Sequence, residues 1–316
     1  MTWPIVALSI ALSIAGATAA PGDPSAENPP GQKASAAAGT DLKVHEEFKA
    51  LQAQDDAAQT DVQKLKHENS DLKAAGKGQS DAELKQRIHA RLEPVRNAYD
   101  AFLRKHPEHA EAHLLYGNFL SEIEEEKNAK THWEKAIELD PKLPEPYDNL
   151  AALATETGDT RKAFEYFSKA IELSPSNASF YHSFGDGVYV LRRGMVKEFA
   201  LTEQQVFAKA LQLYSNAVRL EPTNFLFMSD MAQTYYALQP IPYEQALPAW
   251  TNASRIAPDE TRRGLALIHL ARLKMLQGQL DEARAQLAGV TNQECSELKS
   301  NLLLRIQERA TERGAQ

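Results

Sequence analysis

The stretch HPEHAEAH sets His106, His109 and His113 within one short segment. His109 and His113 are four residues apart. On a helix they share a face, a spacing that lets two imidazoles hold one zinc or copper ion. The competing reading is structural, with His109 in the loop before a helix and His113 packed between helices. A second pair is Cys295, the only cysteine in the chain, and the distant His269, a thiol and a base. No nucleophile motif surrounds Cys295, which favours a packed thiol. The sequence holds no P-loop, GxSxG or HExxH pattern. The residues therefore call for no catalytic group, no cofactor and no metal. A metal protein or enzyme built on HPEHAEAH is kept as an alternative.

The elements around these residues repeat. AKTHWEKAIELDP carries Ala129, Trp133, Ala136 and Pro141, and RKAFEYFSKAIELSP carries Ala163, Phe167, Ala170 and Pro175, each 34 residues further on. Small, aromatic, small and proline recur as Ala210, Tyr214, Ala217 and Pro222, and again as Ala246, Trp250, Ala253 and Pro258. The first three lie on one helix face, where small residues let helices approach closely and the aromatic fills the gap. The proline follows the helix end. Matching first helices stand upstream: HLLYGNFL, PYDNLAAL, FYHSFGDGVYVL and FMSDMAQTYYAL.

This pattern resembles the tetratricopeptide repeat family, with Gly117, Ala151, Gly185 and Ala232 at the eighth position. A fifth unit, LALIHLARLKMLQGQLDEARAQL, carries Gly278 and Ala283, and VRNAYDAFLRKHP reads as a preceding half-unit. The resemblance covers about Ser80 to Val290 and implies an all-α solenoid of about five helical hairpins. An amphipathic helix, roughly Asn292 to Arg313 with Leu298, Leu302 and Ile306, caps it. The family is an interaction scaffold, so the resemblance implies a protein or peptide partner and no enzyme. Its groove-facing positions, the second, fifth, ninth and twelfth, fall here on residues that include Asn118, Asp148, His182, Asp186, Tyr189, Gln233, Tyr236 and Arg272. Acidic and polar residues at one end and apolar ones at the other suit a partner with basic and apolar residues. The fifth positions hold Leu114, Asp148, His182 and Ser229, which argues against a clamp for a carboxylate tail.

The third unit is stretched. Pro175 and Pro222 are 47 residues apart, an excess of 13. Thr202 and Gln205 form a capping box that starts the second helix, so the extra segment is Arg192 to Leu201, RRGMVKEFAL. Its basic Arg192, Arg193 and Lys197 stand on an acidic protein, beside Met195, Val196, Phe199 and Leu201. The segment either folds back onto the array edge or forms a recognition loop that includes Phe199. The fourth unit is expanded by two residues around QPIPY, on the same edge.

The N-terminus reads as an export signal over residues 1–19, with an apolar core Ile5–Ala15 and Ala17-Thr18-Ala19 before the cut. An uncleaved anchor is the alternative. Residues 20–40 are rich in Pro, Gly, Ala and Ser and read as a disordered linker. Residues 41–76 read as a coiled-coil helix, with Leu51, Ala58, Leu65 and Leu72 at d and Phe48, Asp55, Val62 and Asn69 at a. That seam serves either self-association through residues 41–75 or packing of a lone helix on the array, which occupies 80–316. Of the 316 residues 43% are hydrophobic, and the formal net charge is -8, which excludes a general nucleic-acid-binding role. No long apolar run follows the N-terminus, so no integral membrane span is expected after signal cleavage. Export signal, coil and repeats together resemble periplasmic coordinators of cell-envelope constriction. That order implies a periplasmic or secreted scaffold in cell-envelope assembly or maintenance, or an oligomeric assembly factor acting through the coil.

Overall fold

The structure, a computed structural model, describes residues 33–314. The export signal and the linker up to residue 32 lie outside the described residues. Two units divide the chain, residues 1–47 and 48–316. In the first, residues 33–47 form the start of helix α1 (Lys33–Ala74). The helix thus takes in residues 33–40, which composition assigns to the linker; alanines at 36–38 favour helix and outweigh the Ser and Gly around them.

In the second unit, α1 from Phe48 onward forms an antiparallel hairpin with α2 (Asp81–Lys105). Phe48 meets Phe102 at 5.6 Å, Gln54 bonds the Pro94 carbonyl, Asp61 pairs with Arg91 and Asn69 meets Gln79. Phe48, Leu51, Ala58 and Val62 are buried here, whereas Leu72 is 45% exposed. The polar a positions have partners within the chain. The Tyr99 hydroxyl donates to Asp55 at 2.6 Å, and the Asn69 side chain accepts from the Gln79 N–H at 2.7 Å. The apolar seam that spacing offers for self-association is covered by the chain's own helix. Heptad spacing specifies an apolar stripe and leaves its partner open.

Five hairpins follow: α3 (Ala110–Glu122) with α4 (Glu126–Leu139), α5 (Glu145–Glu156) with α6 (Thr160–Leu173), α7 (Ala178–Val190) with α9 (Glu203–Leu220), α10 (Phe225–Thr234) with α11 (Tyr243–Ile256), and α12 (Glu260–Leu276) with α13 (Leu280–Ala288). The small residues of the repeat signature, from Ala129 to Ala253, are all buried. A Cβ at Gly185 would come within 2.7 Å of the Tyr214 ring, so glycine is what permits that close approach. Gly158 and Gly278 turn the hairpins at φ 78° and 81°, where glycine meets no steric cost. In the first repeat Glu124 holds the corresponding place at φ 66°.

The stretched unit contains a further helix, α8 (Arg192–Phe199), ended by Ala200 in the left-handed region. The expected loop is therefore a two-turn helix folded onto the array. Met195 is buried, the Phe199 ring packs 5.1 Å from that of Phe164, and a Cβ at Gly194 would overlap the Thr160 hydroxyl. Apolar side chains four apart (Met195, Phe199) supply one buried face, which spacing over so short a segment does not reveal. The Thr202–Gln205 capping box starts α9 as expected. Gln204 then bridges to the fourth unit, donating to the Ala237 carbonyl at 3.1 Å and accepting from the Gln239 N–H at 2.8 Å. Both expansions meet on that edge. The last helix, α14 (Ser296–Gly314), buries Leu302 and Ile306 but leaves Leu298 40% exposed. Among the described residues no helix is long and apolar enough to cross a membrane.

Candidate functional site

Successive first helices touch through polar side chains. The Asn149 amide donates to Asn118 Oδ1 at 2.7 Å, Ser183 donates to the Asp148 carboxylate, His182 meets Asp230 at 2.8 Å, and the Tyr236 hydroxyl donates to the His269 carbonyl at 3.1 Å. The later partner in each case, Asn149, Ser183, Asp230 or His269, is the sixth residue of its repeat. None of these four belongs to the groove positions that the family resemblance supplies. The signal available in the sequence is a polar residue at the sixth position of repeats two to five.

A second pattern runs within the hairpins. In two hairpins the aromatic of the second helix presents its polar end to the ninth residue of the first. Trp133 Nε1 donates to Asn118 at 2.9 Å, and the Tyr214 hydroxyl donates to Asp186 at 2.6 Å. Phe167 has no polar end, and the ninth residue there is Ala152. Trp250 Nε1 is buried without a partner while Gln233 is exposed. Asn118 accepts from both Trp133 and Asn149, so it locks helices together.

The two patterns converge on His182. Its Nε2 faces Asp230 at 2.8 Å and its Nδ1 faces Asp186 at 3.5 Å. The Asp230 contact is a hydrogen bond and the Asp186 contact a longer ion-pair approach, an arrangement that favours the charged ring. The ring stacks on Phe227 at 4.6 Å. Burial pulls its pKa down, but the hydrogen bond to Asp230 and the charges of Asp186, Asp230 and Asp148 outweigh this and raise it. Burial also raises Asp186, opposed by the His182 charge and the Tyr214 bond. Asp148 Oδ1 is shielded and has no partner. Burial lifts this carboxyl to about 7, with Ser183 acting in the opposite direction. Asp186 and Asp230 side chains stay about a third exposed, at 35% and 29%, so solvent and ligands reach them. His182, Asp186 and Asp230 are the one described group with metal-ligand chemistry. One ligand atom from each lies within 4.8 Å of the others, and the ring turns a different nitrogen to each carboxylate, as in a pair of ion contacts.

The remaining expected residues have structural contacts. Tyr189 lies against Phe207, and Arg272 sits 4.8 Å over the Tyr236 ring. Arg192 pairs with Glu203 at 3.8 Å. Phe199 packs on the array beneath Arg161, as the fold-back reading of this segment expects. Arg193 and Lys197 are exposed on α8. The histidines of HPEHAEAH do not converge. His109 caps α3, its Nδ1 accepting from the Ala112 N–H at 3.2 Å. His113 donates from Nε2 to the Pro107 carbonyl, which leaves its Nδ1 to accept from His132 at 2.9 Å. Cys295 lies at the Thr261 carbonyl, and His269 stacks on Trp250 at 4.1 Å, so thiol and imidazole serve separate packing roles.

A tetratricopeptide-repeat family profile matches residues 110–143 and 144–177, the first two hairpins. Those two hairpins are tetratricopeptide repeats. Two solved structures share the solenoid fold with this repeat protein. YrrB, described as a TPR protein with an unusual peptide-binding site, is 17% identical with a TM-score of 0.50, over 65% of this chain and 96% of its own. The C-terminal part of a TPR repeat-containing protein from Cytophaga hutchinsonii is 13% identical with a TM-score of 0.52, over 81% of this chain and 98% of its own. Among curated proteins no match is found. Tetratricopeptide repeats are protein-interaction scaffolds, and the first-helix face is the surface on which this one presents its polar groups.

Proposed function

We propose that this repeat protein binds an extended segment of another protein along its first-helix face, and that the segment carries basic residues. The observation that carries this reading is the set of carboxylates Asp148, Asp186 and Asp230 gathered around His182, two of them open to solvent. Complementary charge both attracts such a segment and fixes its register. The exposed Arg193 and Lys197 on the α8 edge offer the same partner, or a second one, a contact for acidic side chains. Residues 1–19 carry the features of an export signal, which supports a periplasmic or secreted location and a role in the cell envelope. Fluorescence anisotropy with a labelled decapeptide of alternating lysine and leucine tests the reading. Binding should exceed that of the glutamate–leucine counterpart at least ten-fold and weaken in Asp230→Asn. Equal binding of both peptides, or of neither, defeats it.

A further inference from the structure

The carboxylates that would receive a basic side chain already hold a cation of the protein's own. Every element packed around His182 faces it with an acid or a neutral group. Asp148 and Ser183 lie on α5 and α7, Asp186 on α7, the Tyr214 hydroxyl on α9, and Asp230 with the Phe227 ring on α10. The imidazolium is tied to Asp230 at 2.8 Å and to Asp186 at 3.5 Å, while Asp148 Oδ1 has no hydrogen-bond partner at all. Three carboxyl groups thus share one cation, and one carboxyl oxygen is left over. An arriving ammonium or guanidinium would be a like charge beside the ring, which favours loss of the ring proton.

We propose that a lysine or arginine of the bound segment exchanges with the His182 proton: the incoming cation takes over the carboxylates of Asp186 and Asp230, the ring becomes neutral, and one proton leaves to solvent. Charge balances, since one positive charge enters the cluster and one leaves it. The carboxylates around the ring raise the imidazole pKa and so favour the charged ring in the free protein. Binding and proton release are then linked. Affinity falls as the solution becomes more acid, because the proton and the ligand compete for the same carboxylates, by up to ten-fold per pH unit for one proton.

This rests on the first-helix face being the peptide-binding surface, and the two ideas are tested apart by calorimetry with the lysine–leucine decapeptide. Titrations at pH 6.5 in buffers of low and high ionisation enthalpy give the number of protons released. The expected result is close to one in wild type and in Asp148→Asn, which removes the neighbouring carboxyl that titrates near 7. It is close to zero in His182→Gln, and the His182 ring carbon shift in wild type should move to its neutral position when peptide is added. Binding with identical heats in both buffers and an unmoved ring overturns the exchange and leaves the peptide surface standing. No binding in wild type overturns both.

Discussion

Asp148→Asn should stabilise this protein at neutral pH and above, with an advantage that shrinks below pH 7 and vanishes below pH 3.8. The wild-type carboxyl rises from an ordinary 3.8 to about 7 because burial penalises its charged form and Oδ1 has no donor. The folded state therefore holds a proton that the unfolded state has released. That stability is complete below pH 3.8 and is lost as pH rises through about 7. Fully realised, the shift corresponds to roughly 4 kcal/mol, at about 1.4 kcal/mol per pH unit. Part of the residue remains open to solvent, which relaxes around the charge, so about 1–2 kcal/mol is the expected size. His182, also raised, acts in the same direction and loses its share above 6.5, but it is common to both proteins and largely cancels in the difference. Urea unfolding followed by circular dichroism at pH 5 and pH 8.5 measures the effect. Asp148→Asn should exceed wild type by about 1–2 kcal/mol at pH 8.5 and by only about a third of that at pH 5. A variant that is weaker at pH 8.5, or offset equally at both values, would refute the argument that Asp148 is an uncompensated buried charge.

Gly194→Ala places a Cβ against the buried Thr160 side chain; it should undock α8 at a cost of about 1–3 kcal/mol, visible as faster amide exchange over residues 192–199 with the rest of the array intact. Trp133→Phe removes the donor to Asn118, whereas Trp250→Phe removes an indole N–H that has no partner. Chemical denaturation should find the first more costly than the second by about 1 kcal/mol. Glu124→Gly relieves a left-handed backbone at φ 66° and gives up an exposed pair with Lys85; thermal melting should show a net gain of up to about 1 kcal/mol.

The repeat array is legible in the sequence because close helix packing admits few residue types. Ala129, Ala163, Ala210 and Ala246 are small since a second helix lies directly over each of them, and the constraint returns every time the hairpin returns. The His182 cluster is legible only in part. His182, Asp186 and Asp148 stand at positions that the family resemblance marks, but Asp230 comes from the following repeat, beyond the insertion, so spacing hides its approach to His182. The sixth-position residues Asn149, Ser183, Asp230 and His269 share polarity and nothing else, and a pattern built on residue type passes over them. The segment 192–201 left its fold-back and loop readings open for a different reason. Its basic residues resemble a surface loop, while its structure is decided by Met195 and Phe199 finding a face of α6 and α7 to cover. The coil seam likewise states that something must cover Phe48, Leu51 and Val62, and only the fold shows that α2 does so.

The pairing of the second-helix aromatic with the ninth residue of its own hairpin, made by Trp133 and Tyr214 and missing at Phe167 and Trp250, shows that repeats of one outline are not interchangeable. Moving the helix that carries Tyr214 into the second unit would set a buried hydroxyl opposite Ala152; moving the Phe167 helix into the third would leave Asp186 without its donor. The hairpins are parts cut to one outline but keyed individually. A chain assembled from copies of any one of them would keep the architecture and lose the His182 cluster, so the order of the units is itself information the protein carries.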